Sequence, residues 1–164
     1  MSDIVDFSGL NRHSLYKEFG DKESLFLACL SYYSVELSRD LKELLQREPL
    51  GLSNIRDFFS ERAGYADSKQ CRGCFLINSV SDQEIVSEKV RDKIQEMLSE
   101  HDEFFYRCLA AAQERGELSP NKDCQALASY LSCVLRGLMS VGRSKTSLVP
   151  PEQLVEIALG ALTP

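Results

Sequence analysis

Between Phe26 and Leu45 the apolar residues recur every three or four positions: Phe26, Leu30, Tyr33, Leu37, Leu41, Leu44 and Leu45. That spacing lines one side of an α-helix. It predicts a single helix from Asp21 to about Arg47, stopped before Pro49-Leu50-Gly51. A second runs from Ser53 to about Ala66, with Ile55, Phe58, Phe59 and Arg62 setting its phase. Asp67 to Gly73 is polar and reads as a loop. It leads into the short apolar run Cys74 to Val80, which periodicity alone leaves open between buried strand and helix. From Asp82 to about Glu114, Val86, Val90, Ile94, Met97, Leu98, Phe104, Phe105, Cys108, Leu109 and Ala112 keep the helical period. Its acidic start (Asp82, Glu84) and its end at Arg115-Gly116 suit the helix dipole and a C-terminal stop. Two further helices are predicted, Asp123 to about Arg143 and Pro151 to about Ala161, the last with Leu154, Ile157, Ala158 and Leu162 on one side. The chain is all-α.

The stretch from Ile4 to Leu30 has a different texture. It reads as a short helix, a turn at Gly9, a second short helix from about Asn11 to Phe19, a stop at Gly20, and the start of the long helix. Gly9 suits the left-handed backbone that ends a helix, and Asn11 and Asp21 suit the caps that begin the next two. Leu15 and Phe19 point inward in this reading, leaving Arg12, His13, Tyr16 and Lys17 outside. A polar-faced helix held across a preceding one is the helix-turn-helix layout for entering a DNA major groove.

Gly9 to Phe26, GLNRHSLYKEFGDKESLF, closely resembles the recognition-helix signature of the TetR family of bacterial transcription regulators. Its pattern falls on Gly9, Leu10, Asn11, Ser14, Leu15, Tyr16, Phe19, Lys22 and Leu25. The resemblance implies a helix-turn-helix head over residues 1–26 and a helical ligand-binding and dimerisation body over residues 27–164. It implies that Asn11, Arg12, His13 and Ser14 face the groove, with Arg12 the best base reader, while Tyr16, Lys17 and Lys22 hold phosphates and set register. Glu18 departs from the family, which often carries an aromatic residue or histidine there, and a carboxylate repels phosphate. Cys74 to Val80 becomes a short helix by the same resemblance.

The family also has a helix before the helix-turn-helix pair, which would cover Ile4, Val5, Leu15 and Phe19. Since this chain starts inside the equivalent of the family's second helix, either it is part of a longer product or its head is incomplete. In the family the body holds a small-molecule pocket, whose occupation moves the connecting helix and spoils the spacing of two heads. Phe59, Phe75, Phe105 and Cys108 are candidate pocket residues, although each also reads as plain core. The expected partners are double-stranded operator DNA, a small apolar effector, and a second copy docked through the last two helices. Small residues on the first of these, among them Cys133, Gly137 and Ser140, would let a partner helix approach.

Composition alters this picture in two places. The formal net charge is −6, and from Met1 to Glu23 the cations Arg12, Lys17 and Lys22 face Asp3, Asp6, Glu18, Asp21 and Glu23, a local charge of −2. Electrostatic affinity for DNA is then modest and its salt dependence shallow. The 6 cysteines do not form a disulfide scaffold in a chain of this size, and most fall in helical apolar patterns as small hydrophobes. Cys71 and Cys74 form a C-x-x-C, but no second ligand pair accompanies them for zinc; the alternatives are a thiol redox pair or coincidence. His101, between Glu100 and Asp102, reads as a surface residue. No run approaches the roughly 18 apolar residues of a membrane span, and no signal peptide is evident, so a cytoplasmic location is expected. No cofactor and no enzymatic activity are expected. The competing class is a helical dimerisation module that binds no DNA itself.

Overall fold

Short polar side chains start the helices by taking up their free N–H groups. Asn11 Oδ1 accepts from the Ser14 N–H at 2.8 Å, and Asp21 Oδ1 from the Ser24 N–H at 2.7 Å. Those bonds from Ser24 hold the Asp21 carboxyl below its ordinary range. Ser87 and Asp123 do the same work further on, capping toward Val90 and toward Gln125 and Ala126. The computed structural model describes residues 1–80 and 87–162. The resulting helices are α1 (Ser2–Ser8), α2 (Arg12–Phe19), α3 (Lys22–Leu45), α4 (Leu52–Asp67), α5 (Phe75–Val80), α6 (Glu88–Glu114), α7 (Cys124–Ser144) and α8 (Pro151–Leu159), followed by a 3-10 turn Gly160–Leu162. No strand occurs among the described residues. The predicted start of the α6 stretch (Asp82, Glu84, Val86) lies outside the described residues.

Helix α4 sits at the centre, packed against α3, α6, α7 and α8. Phe59 stacks on Phe105 of α6 at 5.6 Å, and Phe58 meets both rings edge-on at 5.4 and 5.5 Å. All three are fully buried. Burial of rings this size, with such geometry, makes the α4–α6 contact the hydrophobic centre of the body. On the other flank of α4, Gly142 of α7 lies so close to Ala66 that a Cβ at this position would fall 2.8 Å from Ala66 Cα. Lys145 then donates from Nζ to the carbonyls of Ala66 (2.8 Å) and Ser68 (2.6 Å), closing the end of α4.

The C-terminal end of α3 is fixed from three directions. Buried Asn54 donates from Nδ2 to the carbonyls of Leu44 (2.9 Å) and Arg47 (2.7 Å), while its Oδ1 accepts from the Gly51 N–H (2.9 Å). The Cys108 thiol donates to the Leu45 carbonyl at 3.2 Å. Arg47 pairs with Asp57 on α4. A helix end offers carbonyls with no partner in the helix, and these contacts satisfy them inside the protein.

Some expectations need correction. Leu15 is buried on α3, but Phe19 stays 37% exposed, because a two-turn helix with one main neighbour covers a single stripe. On α8 the buried side is Val155 and Ala158, whereas Ile157 is 71% exposed. Helix α7 is long and apolar enough to cross a membrane by length and composition. Here it packs against α4, α6 and α8 as a core helix. The run Cys74 to Val80 contains helix α5, as the family resemblance implies.

Asn54→Ala should lower unfolding free energy by about 1–3 kcal/mol, since it strands the buried Gly51 N–H and two part-buried carbonyls. A thermal melt reads this as a loss of about 2–4 °C per kcal/mol.

Candidate nucleic-acid interface and ligand cavity

The head is built by three short-range devices. Gly9 ends α1 with its N–H on the Val5 carbonyl at 3.0 Å, and Asn11 opens α2. Gly20, at φ 86°, ends α2 by donating to the Tyr16 carbonyl at 2.8 Å. A residue with a Cβ is strained at that φ. Leu15 seats α2 on α3, so the rest of the helix surface is presented outward. Asn11, Arg12, His13, Ser14 and Lys17 are exposed, as is Lys22 in the first turn of α3, while Tyr16 is half-buried. His13 and Lys17, one turn apart, lie on the side away from Leu15. The seven sequence-predicted head residues thus fall on the N-cap of α2, on α2 itself and in the first turn of α3, six of them exposed and Tyr16 half-buried. Asn11 has a second task, since its side-chain oxygen is committed to the cap. Glu18 is exposed on the same helix. Ile4, Phe7 and Leu10 are exposed apolar side chains at its edge.

The body contains a cavity of about 330 Å³ between α3, α4, α6 and α7. Leu37 and Leu41 of α3, Phe58 of α4, Leu98 of α6, and Leu135 and Met139 of α7 form its apolar walls. Its polar lining includes Tyr33, Arg62, His101, Ser132 and Arg136. His101 is buried rather than superficial. It falls in phase with Ile94, Met97, Leu98 and Phe105, and this register outweighs its charged neighbours in sequence. Burial pushes the imidazole down to about 4, and the Arg136 guanidinium adds to the effect. Arg62 lies over the Phe58 ring at 5.4 Å and pairs with Glu61 at 2.9 Å. Ser132 donates to Asp102. Burial pushes the Tyr33 phenol up, and the neighbouring Cys74 thiol contributes.

None of the four pocket residues named from sequence lines this cavity. Phe59, Phe105 and Cys108 are fully buried in the α4–α6 core, off the cavity wall. Burial also pushes the Cys108 thiol up to about 11. Phe75 stands one layer behind the wall, edge-on to Tyr33 at 5.6 Å and to Phe26 at 5.6 Å. Many of the residues that do line the cavity come from α3 and α7, which carry none of the four, so periodicity found the helices but not the void between them. Cys71 and Cys74 are buried free thiols, and only Cys74 borders the cavity. No group of three or more metal-binding side chains occurs among the described residues.

Residues 51–156 match the family described as tetracyclin repressor-like, C-terminal domain. The chain belongs to the TetR family. It is similar to the HTH-type transcriptional repressor ComR of Escherichia coli K12, 29% identical over 160 residues, covering 96% of this chain and 75% of ComR. The HTH-type transcriptional regulator YezE of Bacillus subtilis 168 is 26% identical over 164 residues, covering 99% and 84%. In fold it matches the TetR family regulator CifR, solved as a cysteine mutant with a 26-bp operator duplex. The TM-score is 0.81 at 24% identity, over 99% of this chain and 84% of that one. This TetR-family chain is an all-α, DNA-binding transcriptional regulator.

The buried imidazole sets a pH window. His101 titrates near its ordinary 6.5 when unfolded and near 4 when folded. Between those values the unfolded chain binds more protons, so stability is full above about 6.5 and declines as pH falls toward 4. The decline from this one group is about 2–3 kcal/mol. His101→Gln should remove that component, seen as a shallower loss of melting temperature between pH 7 and 4.5 than in the parent.

Proposed function

We propose that the protein is a homodimeric repressor that reads a two-fold operator with its α2 helices and leaves it when a small molecule fills the cavity. The observation that carries this is the head itself. Leu15 locks α2 to α3 while Arg12, His13, Ser14 and Lys17 stand free to enter a major groove. Arg12 is the base reader, with Asn11, His13 and Ser14 beside it in the groove. Tyr16, Lys17 and Lys22 hold phosphates. CifR, similar in fold, was solved on operator DNA, and ComR is named a repressor.

The second copy docks on the outer face of α7 and α8. Tyr130, Cys133, Gly137 and Ile157 are exposed there, and a Cβ on Gly137 would meet nothing within 4 Å. An apolar face lined with small residues lets a two-fold mate approach closely, and two-fold symmetry matches half-sites on one side of the duplex. The effector site is the cavity bounded by α3, the same helix that begins at the head. Filling it moves α3 and changes the distance between the two heads. The protein works in the cytoplasm, where its operator is.

Gly137→Arg should place a bulky cation in the mate's path and convert the dimer to a monomer in light scattering, without lowering the monomer's melting temperature. An unchanged dimer would move the interface elsewhere. On a duplex selected from a random pool, Arg12→Ala should lose sequence discrimination by about 1–3 kcal/mol. Lys22→Ala should weaken all duplexes alike and flatten the salt slope by about one unit. A dimer that retains no duplex would instead be a dimerisation module.

A further inference from the structure

The cavity's lining says more than that something small fits. Of its charged groups, Glu36 and Glu61 are engaged by arginines of their own helices, Arg39 at 2.9 Å and Arg62 at 2.9 Å. Arg136 of α7 makes no ion pair with any described carboxylate and is only partly exposed to solvent. It shares the cavity lining with His101, 7% exposed, and Ser132, 3% exposed, so the polar lining includes a guanidinium, an imidazole and a hydroxyl. Arg136 and Arg62 both oppose a positive charge on His101, and Arg136 does so more strongly than Asp102 favours one. A cation held in a partly apolar enclosure is stabilised by an anion placed against it with good hydrogen-bond geometry. On the same two helices, α6 and α7, Leu98, Leu135 and Met139 offer only apolar contact to the cavity. About 330 Å³ is at the small end for ligand pockets, which span about 300–1,000 Å³.

We propose that the cavity selects a small monocarboxylate with an apolar body, its carboxylate on Arg136 and His101 and its body against Leu98, Leu135 and Met139. This refines the small apolar effector expected from the family resemblance, and it rests on reading the cavity as the effector site. Arg136 acts as the selectivity group. Ser132 keeps its proton on Asp102 and so fixes α7 against α6 beside the anion. A neutral amide of the same shape keeps the apolar contacts but loses the charge-assisted hydrogen bonds, and an ammonium group would stand like charge against the Arg136 guanidinium.

The test is calorimetric titration of the full chain with 4-isopropylbenzoate, 4-isopropylbenzamide and 4-isopropylbenzylamine, repeated on Arg136→Gln and Arg136→Lys. The benzoate should bind about tenfold or more tighter than the amide, and the amine weakest. Arg136→Gln should bring benzoate and amide to within about twofold, with an unchanged melting temperature, and Arg136→Lys should restore part of the preference. Equal binding of benzoate and amide, preference for the amine, or no heat and no thermal shift from any of the three at millimolar concentration would overturn the assignment. So would a preference for benzoate that survives in Arg136→Gln. Operator release separates this from the effector reading. If the benzoate binds through Arg136 and the operator complex persists, the ligand class stands and the cavity is not the effector site. If the amide binds equally and releases the operator, the effector site stands and the anion does not.

Discussion

One buried amide, Asn54, ties the helix that carries the reading head to the helix at the centre of the body. It bonds the Leu44 carbonyl in the last turn of α3, the Arg47 carbonyl just past it and the Gly51 N–H that precedes α4, using both ends of its side chain. Without it, the junction between the two helices would hold one buried and two part-buried backbone groups unsatisfied, and a buried one costs about 1–3 kcal/mol. Cys108 and the Arg47–Asp57 pair reinforce the same end. The opposite end of α3 is held by side-chain packing instead, against Leu15 of α2, against Phe75 of α5 through Phe26, and beside Ser87 and Val90 at the start of α6.

That asymmetry gives the other features their meaning. A helix hydrogen-bonded at one end and held by side-chain packing at the other can turn a small push along its length into a larger displacement at the packed end. The cavity lies along that length, where Tyr33, Leu37 and Leu41 form one of its walls. Tyr33 in turn leans on Phe75, and Phe75 on Phe26, so the wall is linked by edge-on ring contacts to the first turns of α3. In the proposed function a ligand acts through this path, because the α4–α6 aromatic core on the other side is too densely packed to yield. The path is a physical connection between two sites, and its energetic coupling is what the effector reading requires.

Much of this was legible in the sequence because helices announce themselves through period and caps. Asn11, Gly20 and Asp21 mark the head's boundaries by their own chemistry, and the structure places each cap and stop where those residues fall. The cavity was less legible. Phe59 and Phe105 were reasonable candidates by size, yet stacking on each other places them in solid core. His101 and Arg62 sit on buried stripes where an apolar residue would be expected, a signal present in the periodicity but masked by the charged neighbours of His101. Arg136 gave no such signal, since which side of α7 meets a void depends on how four helices splay. Phe19 and Ile157 show the converse, apolar residues whose register suggests burial but whose neighbours leave them open.

Amide hydrogen exchange along α3 tests the central claim, that this helix is anchored at its body end and looser toward the head. The account predicts slowest exchange over Leu41–Leu45, with protection falling steadily toward Leu25 and lowest in α2. Uniform protection along α3, or a head more protected than the Asn54 junction, would contradict it.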